Sequence, residues 1–207
     1  PSLRSLKGDA SSRVLRKHAL NTSLAIGMQL LADHQVDALV SSADTKAIMV
    51  SERSLLGTVH RLYRPAIAEA FQGPPGQFYM LDLNANIQCS PHLLRQFGRL
   101  GSALQAARQQ SATPVKAASV VTPDAKPRFG LLNIGIERGK GTGGAKRAIS
   151  LLEQDECINC IGLIEPSELF SGRADGIVSD GYTGNLVLKT IESMAGYLRR
   201  QLAELAN

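Results

Sequence analysis

With 207 residues, 43% hydrophobic and 20% charged, the chain has ordinary globular composition and enough apolar material to bury a sizeable core. Aromatics are only 4% and Trp is absent, so that core is aliphatic. The net charge of +5 favours an anionic partner, yet no aromatic-basic cluster or zinc-finger spacing accompanies it, which sets nucleic-acid binding aside.

Residues 12 to 34 carry Val14, Leu15, Leu20, Leu24, Met28 and Leu31 near the 3.6 period, which predicts a helix. "VDALVS" (36–41) predicts a short apolar strand, and a second helix follows from about 46 to 62. "AIAEA" and "FYMLDL" (78–83) are predicted strands separated by the turn sequence "QGPPGQ". Ser90 before Pro91 is a helix N-cap followed by proline at the first helical position, and Leu93, Leu94, Phe97, Leu100 and Leu104 make the helix amphipathic. Residues 103 to 127 contain a proline-bearing, small-residue stretch without period, the composition of a linker or insertion.

"RFGLLNI" is the next strand, "GIERGKGTGG" a glycine-rich loop, and 145 to 153 a helix. "INCIGLI" and "DGIVS" are strands, and the closing helix is placed at 185 to 206. Alternating strands and helices imply an α/β fold of three layers, α/β/α, with a largely parallel sheet and its ligand crevice beyond the carboxyl ends of the strands. The odd count of three cysteines fits a reducing cytoplasm. Cys157 and Cys160 form a Cys-x-x-Cys that runs into a strand and has no second pair, so Cys89, Cys157 and Cys160 are expected to be small buried apolar groups. No apolar run approaches the ~18 residues of a membrane span. His18, His34, His60 and His92 lack a Ser or Cys partner pattern, which argues against a hydrolase triad.

Four polar loops fall at predicted strand carboxyl ends: "SSADTKA" (41–47), "DLNAN" (82–86), "NIGIERGKG" (133–141) and "SDGYTGN" (179–185). None has the Walker spacing, and the dinucleotide Gly-x-Gly-x-x-Gly is missing from its strand-turn-helix context. Each loop alone is turn chemistry; four on one rim point to an anion site.

The stretches "DALVSSADTKA", "RPAIAEA", "LDLNANIQCSPHLLRQFGRLGS", "PRFGLLNIGIERGKG" and "DGIVSDGYTGNLVLKT" resemble, in order, those of the bacterial phosphate acyltransferase family of phospholipid synthesis. They cover most of residues 12 to 195 apart from about 103 to 127. The resemblance implies a fold akin to isocitrate dehydrogenase and phosphotransacetylase. It also implies a homodimer, loose attachment to the inner membrane surface, and transfer of an acyl group from acyl carrier protein to inorganic phosphate. Departures accompany it: Ala43, Asp44 and Lys46 stand where the family has Gly, Asn and Gly, Asn84 where it has Gly, and Thr142 where it has Asn. The family's glycine-rich opening strand and C-terminal region have no counterpart, which implies an incomplete or degenerate member. Loss of glycines from the first loop predicts strain of about 1 kcal/mol where φ is positive, and predicts that restoring the family pattern raises activity.

Phosphate is already partly dianionic at neutral pH, and a thiol with pKa near ~8.5 leaves readily, so the work is positioning and oxyanion stabilisation. For that chemistry the catalytic candidates are Lys140, Asp180 and Asn86. The phosphate- and substrate-binding candidates are Thr45, Asn133, Glu137, Gly181, Thr183, Gly184 and Asn185, and no metal or cofactor is called for. Lys140 as a solvated loop lysine, Gly181 to Asn185 as a plain helix cap and Asp180 as a turn brace are the competing readings. A non-catalytic relative that binds carrier protein or acyl chain, and a phosphotransacetylase-like enzyme using coenzyme A, are the alternatives for the whole chain. An acidic carrier protein is expected to dock on Arg53, Arg61, Arg64, Arg95 and Arg99.

Overall fold

The computed structural model describes residues 22–59, 62–74, 76–111 and 126–206. These fall into two compact units, one ending at Pro65 and the other beginning at Ala66.

In the first unit, Thr22 caps helix α1 (Ser23–Ala32) by accepting from the Ala25 N–H at 3.2 Å. Asp44 caps α2 (Thr45–Leu55) with bonds from the N–H groups of Lys46 (3.0 Å) and Ala47 (3.3 Å). Leu24, Met28 and Ala47 form a small core joined by Leu39, Ile48, Val50 and Leu55. The predicted strand at 36–41 is not formed. No strand in the described part of this unit offers it a ladder; Leu39 instead packs against Gly27, where an added Cβ would lie 2.7 Å from it, and Val40 is exposed. Helix α2 stops short of the predicted residue 62 because Gly57, at φ +77°, takes the left-handed conformation that ends helices. The predicted helix over 12–21 lies outside the described residues.

The second unit is a five-stranded sheet in the order β1-β2-β5-β3-β4. Strands β1 (Ala68–Gly73) and β2 (Gly76–Leu81) form an antiparallel hairpin with Phe71 opposite Phe78. β5 (Gly176–Val178), β3 (Arg128–Leu132) and β4 (Asn159–Ile164) continue from β2 in parallel. The sheet is therefore mixed, because a turn as short as residues 73–76 can return the chain only antiparallel. β4 carries a bulge: Phe129 pairs with Cys160 but Leu131 with Leu163, leaving Ile161 and Gly162 opposite Gly130, with Gly162 at φ +93°.

Helices α3 (Pro91–Ser111) and α4 (Gly143–Glu153) cover one face, burying Leu93, Leu94, Phe97, Ala148, Ile149 and Leu152 against Leu81, Phe129, Leu131 and Val178. On the other face Val187, Leu188 and Ile191 of α5 (Gly181–Leu205) join Phe78, Met80, Leu132, Ile164 and Ile177. Three layers result. α3 is capped as its sequence predicts, with the Leu93 N–H donating to Ser90 Oγ at 3.2 Å. It continues to Ser111, past the start of the expected linker, whose residues 112–125 lie outside the described ones.

Arg99 Nε binds Asp155 at 2.6 Å, and Arg95 Nε lies 3.7 Å from the same carboxylate, whose side chain is inaccessible to solvent. Burial alone would push the Asp155 carboxyl up. Hydrogen bonds from Arg99 and the Cys157 N–H, with the charges of Arg99 and Arg95, outweigh it and hold the group below the usual range. These two arginines thus pin α3 to the turn after α4 and are not a free docking face. Cys157 is exposed, contrary to expectation, because it sits in that turn; Cys160 is half-buried, and burial pushes its thiol up.

Candidate active site

β2, β5 and β3 are neighbours, so the loops at their carboxyl ends meet on one rim. Asp82, wholly buried just beyond β2, organises the first loop. Its Oδ1 accepts the N–H groups of Ile67 (2.9 Å) and Ala85 (3.3 Å); its Oδ2 accepts the Asn86 N–H (2.6 Å) and Asn86 Nδ2 (2.9 Å). Asn84 turns the loop at φ +78°, a conformation asparagine tolerates, so the family's glycine is replaced here at little cost.

This loop is sewn to the start of α5. The Gly181 N–H donates to the Asn86 carbonyl (2.8 Å), the Asn84 N–H to the Gly181 carbonyl (3.1 Å) and Ser179 Oγ to the Asp82 carbonyl (3.1 Å). A Cβ on Gly181 would lie 2.7 Å from the Asn86 carbonyl oxygen, and one on Gly184 would lie 2.0 Å from that of Asp82. Both glycines are required for backbone contact. Asp180 is the N-cap of α5, accepting the Thr183 N–H at 2.8 Å, so the helix begins four residues before the predicted 185. The apolar period alone hid that first turn.

Beyond β3, buried Asn133 spans its own loop, donating from Nδ2 to the carbonyls of Gly135 (2.9 Å) and Lys140 (3.3 Å). Gly141 closes the loop at φ +90°, where a Cβ would strike Asn133 Oδ1. Thr142 then caps α4, accepting the Ala145 N–H at 3.1 Å, a task its hydroxyl performs as well as the family's asparagine.

Two helix N-termini consequently open on one cleft. It is lined by Thr142, Gly144 and Ala145 from α4, by Ser179, Asp180 and Thr183 at α5, and by Cys89, Leu94, Leu131 and Leu132. Its volume, ≈ 80 Å³, is well above the ~10–15 Å³ that admits one water. First-turn N–H groups such as those of Gly143 and Gly144 have no acceptor within their own helix, and both helix dipoles place positive ends here. An anion is the ligand this arrangement suits.

Of the candidates named from sequence, Asp180 and Thr183 line the cleft. Asn86, Asn133, Gly181 and Gly184 do not line it and are buried in the flanking loops and the start of α5, and Asn185 is half-buried on the first turns of α5. Lys140 is half-exposed on the neighbouring loop and bound to Glu137 Oε1 at 2.9 Å, not to Asp180. That hydrogen bond from Lys140 holds the Glu137 carboxyl below its ordinary range. Thr45 is the first residue of α2, in the other unit. There Ala43 and Lys46 are not at positive φ, so the strain expected from replacing glycine is absent, and Asp44 serves as cap. Asp82, Ser179, Thr142 and Cys89 were not among the site candidates named from sequence. The signal for Thr142 was present as a hydroxyl residue directly before a helix. His34 and His92 are exposed, while His18 and His60 lie outside the described residues.

The family described as Fatty acid synthesis protein matches residues 7–206. This chain belongs to that family. Among its relatives, the phosphate acyltransferase of Shewanella amazonensis is 38% identical over 191 residues, covering 91% of this chain and 52% of the relative. That of Neorickettsia sennetsu is 38% identical over 196 residues (94% and 53%), and that of Moritella marina 35% over 208 residues (100% and 58%). The chain thus spans little more than half the length of these relatives. Among solved structures, the EutD phosphotransacetylase of Staphylococcus aureus superposes with TM-score 0.59 at 16% identity, covering 87% of this chain and 58% of that one. A branched-chain phosphotransacylase of Enterococcus faecalis superposes with TM-score 0.50 at 14% identity, covering 90% and 66%. At such identities the likeness is one of fold, and it agrees with a mostly parallel sheet flanked by helices.

Proposed function

We propose that the fatty acid synthesis family member described here transfers an acyl group from a carrier-protein thioester to inorganic phosphate. The observation that carries this reading is the convergence of the α4 and α5 N-termini on one cleft. A phosphate oxygen attacks the thioester carbonyl carbon, the tetrahedral oxyanion collapses, the C–S bond breaks and the thiolate leaves. The proton carried by the attacking hydrogen phosphate passes to the thiolate, so acyl phosphate and free thiol are the products. First-turn N–H groups and Thr183 hold phosphate or the oxyanion, Asp82 and Asn133 keep the loops in place, and Lys140 contributes charge once it leaves Glu137. Asp180, as the capping carboxylate, orients the α5 turn.

The same reading brings acyl carrier protein as donor, with exposed Lys140, Lys146 and Arg147 beside the cleft as its contacts in place of Arg95 and Arg99. A second copy of the chain is supported by Met194, Leu198 and Leu202, which recur every four residues along α5 and stay exposed. Peripheral membrane contact in a cytoplasmic setting completes the reading; no helix among the described residues is long and apolar enough to cross a membrane.

Mass spectrometry of acyl phosphate formed from inorganic phosphate and either acyl carrier-protein or acyl-coenzyme A thioester tests it. Product from the carrier-protein donor is expected. Product from coenzyme A alone would reassign the donor, and product from neither would leave a binding protein. Lys140→Ala should weaken phosphate binding by ~1.5–3 kcal/mol, the worth of a charge-assisted hydrogen bond. Unchanged affinity removes Lys140 from the site.

A further inference from the structure

The loops that wall the cleft also hold large apolar side chains out in water. Ile134 is 77% exposed, Ile136 51%, Ile87 55% and Tyr182 59%. Each is within four residues of one that lines the cleft: Ile87 is two from Cys89, Ile134 two and Ile136 four from Leu132, and Tyr182 is beside Thr183. Ile134 follows Asn133, and Ile136 flanks the Gly135 carbonyl that Asn133 holds. Ile87 follows Asn86, whose carbonyl anchors Gly181, and Tyr182 lies between Gly181 and cleft-lining Thr183. Consecutive Cα atoms are ~3.8 Å apart, so all four lie within reach of the cleft along the rim. Ile87 follows β2, Ile134 and Ile136 follow β3, and Tyr182 is in the first turn of α5 after β5, the strand between them, so the four are grouped along one rim and are not scattered exceptions. Single exposed apolar residues need no explanation, but a band around a polar cleft marks where an apolar ligand lies. The cleft itself is too small and too polar for more than the reacting head of a substrate.

We propose that Ile87, Ile134, Ile136 and Tyr182 form an apolar sill that receives the proximal carbons of a long acyl chain while its carbonyl reaches the cleft. The sill thereby sets chain-length preference. This rests on the acyl-transfer reading above. With the thioester carbonyl at the helix N-termini, the chain has to leave over this margin. The glycine-rich loop sequence around Ile134 and Ile136 lets both side chains project while the Asn133 hydrogen bonds keep the backbone fixed.

The test uses the full chain and two probes with one head group, decanoyl-pantetheine and acetyl-pantetheine, titrated calorimetrically into wild type and I134S/I136S, with inorganic phosphate as a third titrant. The double variant should keep its melting temperature, because both residues are exposed. Decanoyl affinity should fall about tenfold or more, since burying two or three methylenes is already worth that much. Acetyl and phosphate affinities should stay within about twofold of wild type, the scatter of a neutral surface change. Equal losses for both thioesters, or no loss for decanoyl, overturn the sill. Unchanged decanoyl affinity with lost cosedimentation on phosphatidylglycerol vesicles also overturns it, and gives the band to a membrane surface. Failure to form acyl phosphate from any donor bears on the acyl-transfer reading alone, because the difference between the two probes is a binding measurement.

Discussion

Replacing Asp82 by Asn keeps size and shape and changes one acceptor into a donor. In the native loop four N–H donors converge on the two oxygens, two on each, at 2.6 to 3.3 Å. Whichever way the amide is turned, its NH₂ faces two donors, and two hydrogen bonds to a charged acceptor are lost in a wholly buried site. At ~1.5–3 kcal/mol each, the sum is about 3–6 kcal/mol, and the lower half of that range is expected because the loop can shift outward. For a chain of this size about 2–4 °C accompanies each kcal/mol, so the melting temperature should drop by roughly 6–18 °C. Thermal and urea unfolding of Asp82→Asn measure this directly. The same loop holds the first residue of α5 through Asn86 and Gly181, so calorimetric phosphate affinity should fall as well. A variant that melts within about 2 °C of wild type would refute the reasoning, since that corresponds to at most ~1 kcal/mol and no pair of buried charged bonds is worth so little.

Gly184→Ala should destabilise by about 1–3 kcal/mol and weaken phosphate binding, because the new methyl meets the Asp82 carbonyl and Ser179 Oγ; an unaltered urea midpoint would contradict it. Asp155→Asn should cost about 1–3 kcal/mol, the half-exposed arginines keeping it below a fully buried pair. Its pH dependence has a definite sign. A lowered carboxyl pKa contributes stability fully above the unfolded value near ~3.9, and that stability is lost as pH falls through the folded value. The gap between wild type and variant, followed by urea unfolding, should be flat above about pH 5 and shrink below about pH 4. Reversing Arg95 and Arg99 to Glu should lower the melting temperature for the same reason, whereas free docking arginines would leave it unchanged. The triple change Ala43→Gly, Asp44→Asn, Lys46→Gly should lower stability by about 1 kcal/mol through the glycine placed in α2, with no gain in activity; a faster enzyme would show that this loop limits turnover.

The parallel strands, the capped helices and three of the four rim loops (82–86, 133–141 and 179–185) were legible because apolar period, Ser90-Pro91 and clustered turn residues are local signals; the 41–47 loop follows no strand and belongs to the other unit. Residues 36–41 were misread because an apolar hexapeptide cannot reveal whether a neighbouring strand exists; Leu39 packs on a helix glycine instead. Residues 181–184 looked like a loop because two glycines lower helix propensity, yet tertiary contact with the 82–86 loop demands them there. Among site residues, Asp180 and Thr183 could be named from a helix start. Asp82 could not, because its importance lies in four donors brought to it by the fold. Lys140 was legible as charge, and its engagement by Glu137 followed only from the loop's turn.

The bulge in β4 bears on behaviour outside the site. β4 ends the order of the sheet, so among the described strands one of its edges has no neighbour. An even edge of that kind is a template on which another molecule's backbone can add a strand. Ile161 and Gly162, crowded opposite Gly130, break the regular spacing of donors and acceptors, and the left-handed turn at Gly162 bends the strand at mid-length. An incoming strand would find register for only two residues on either side of the irregularity. On this side of the sheet the irregularity works against strand addition, and it rests on a glycine that lines no part of the cleft.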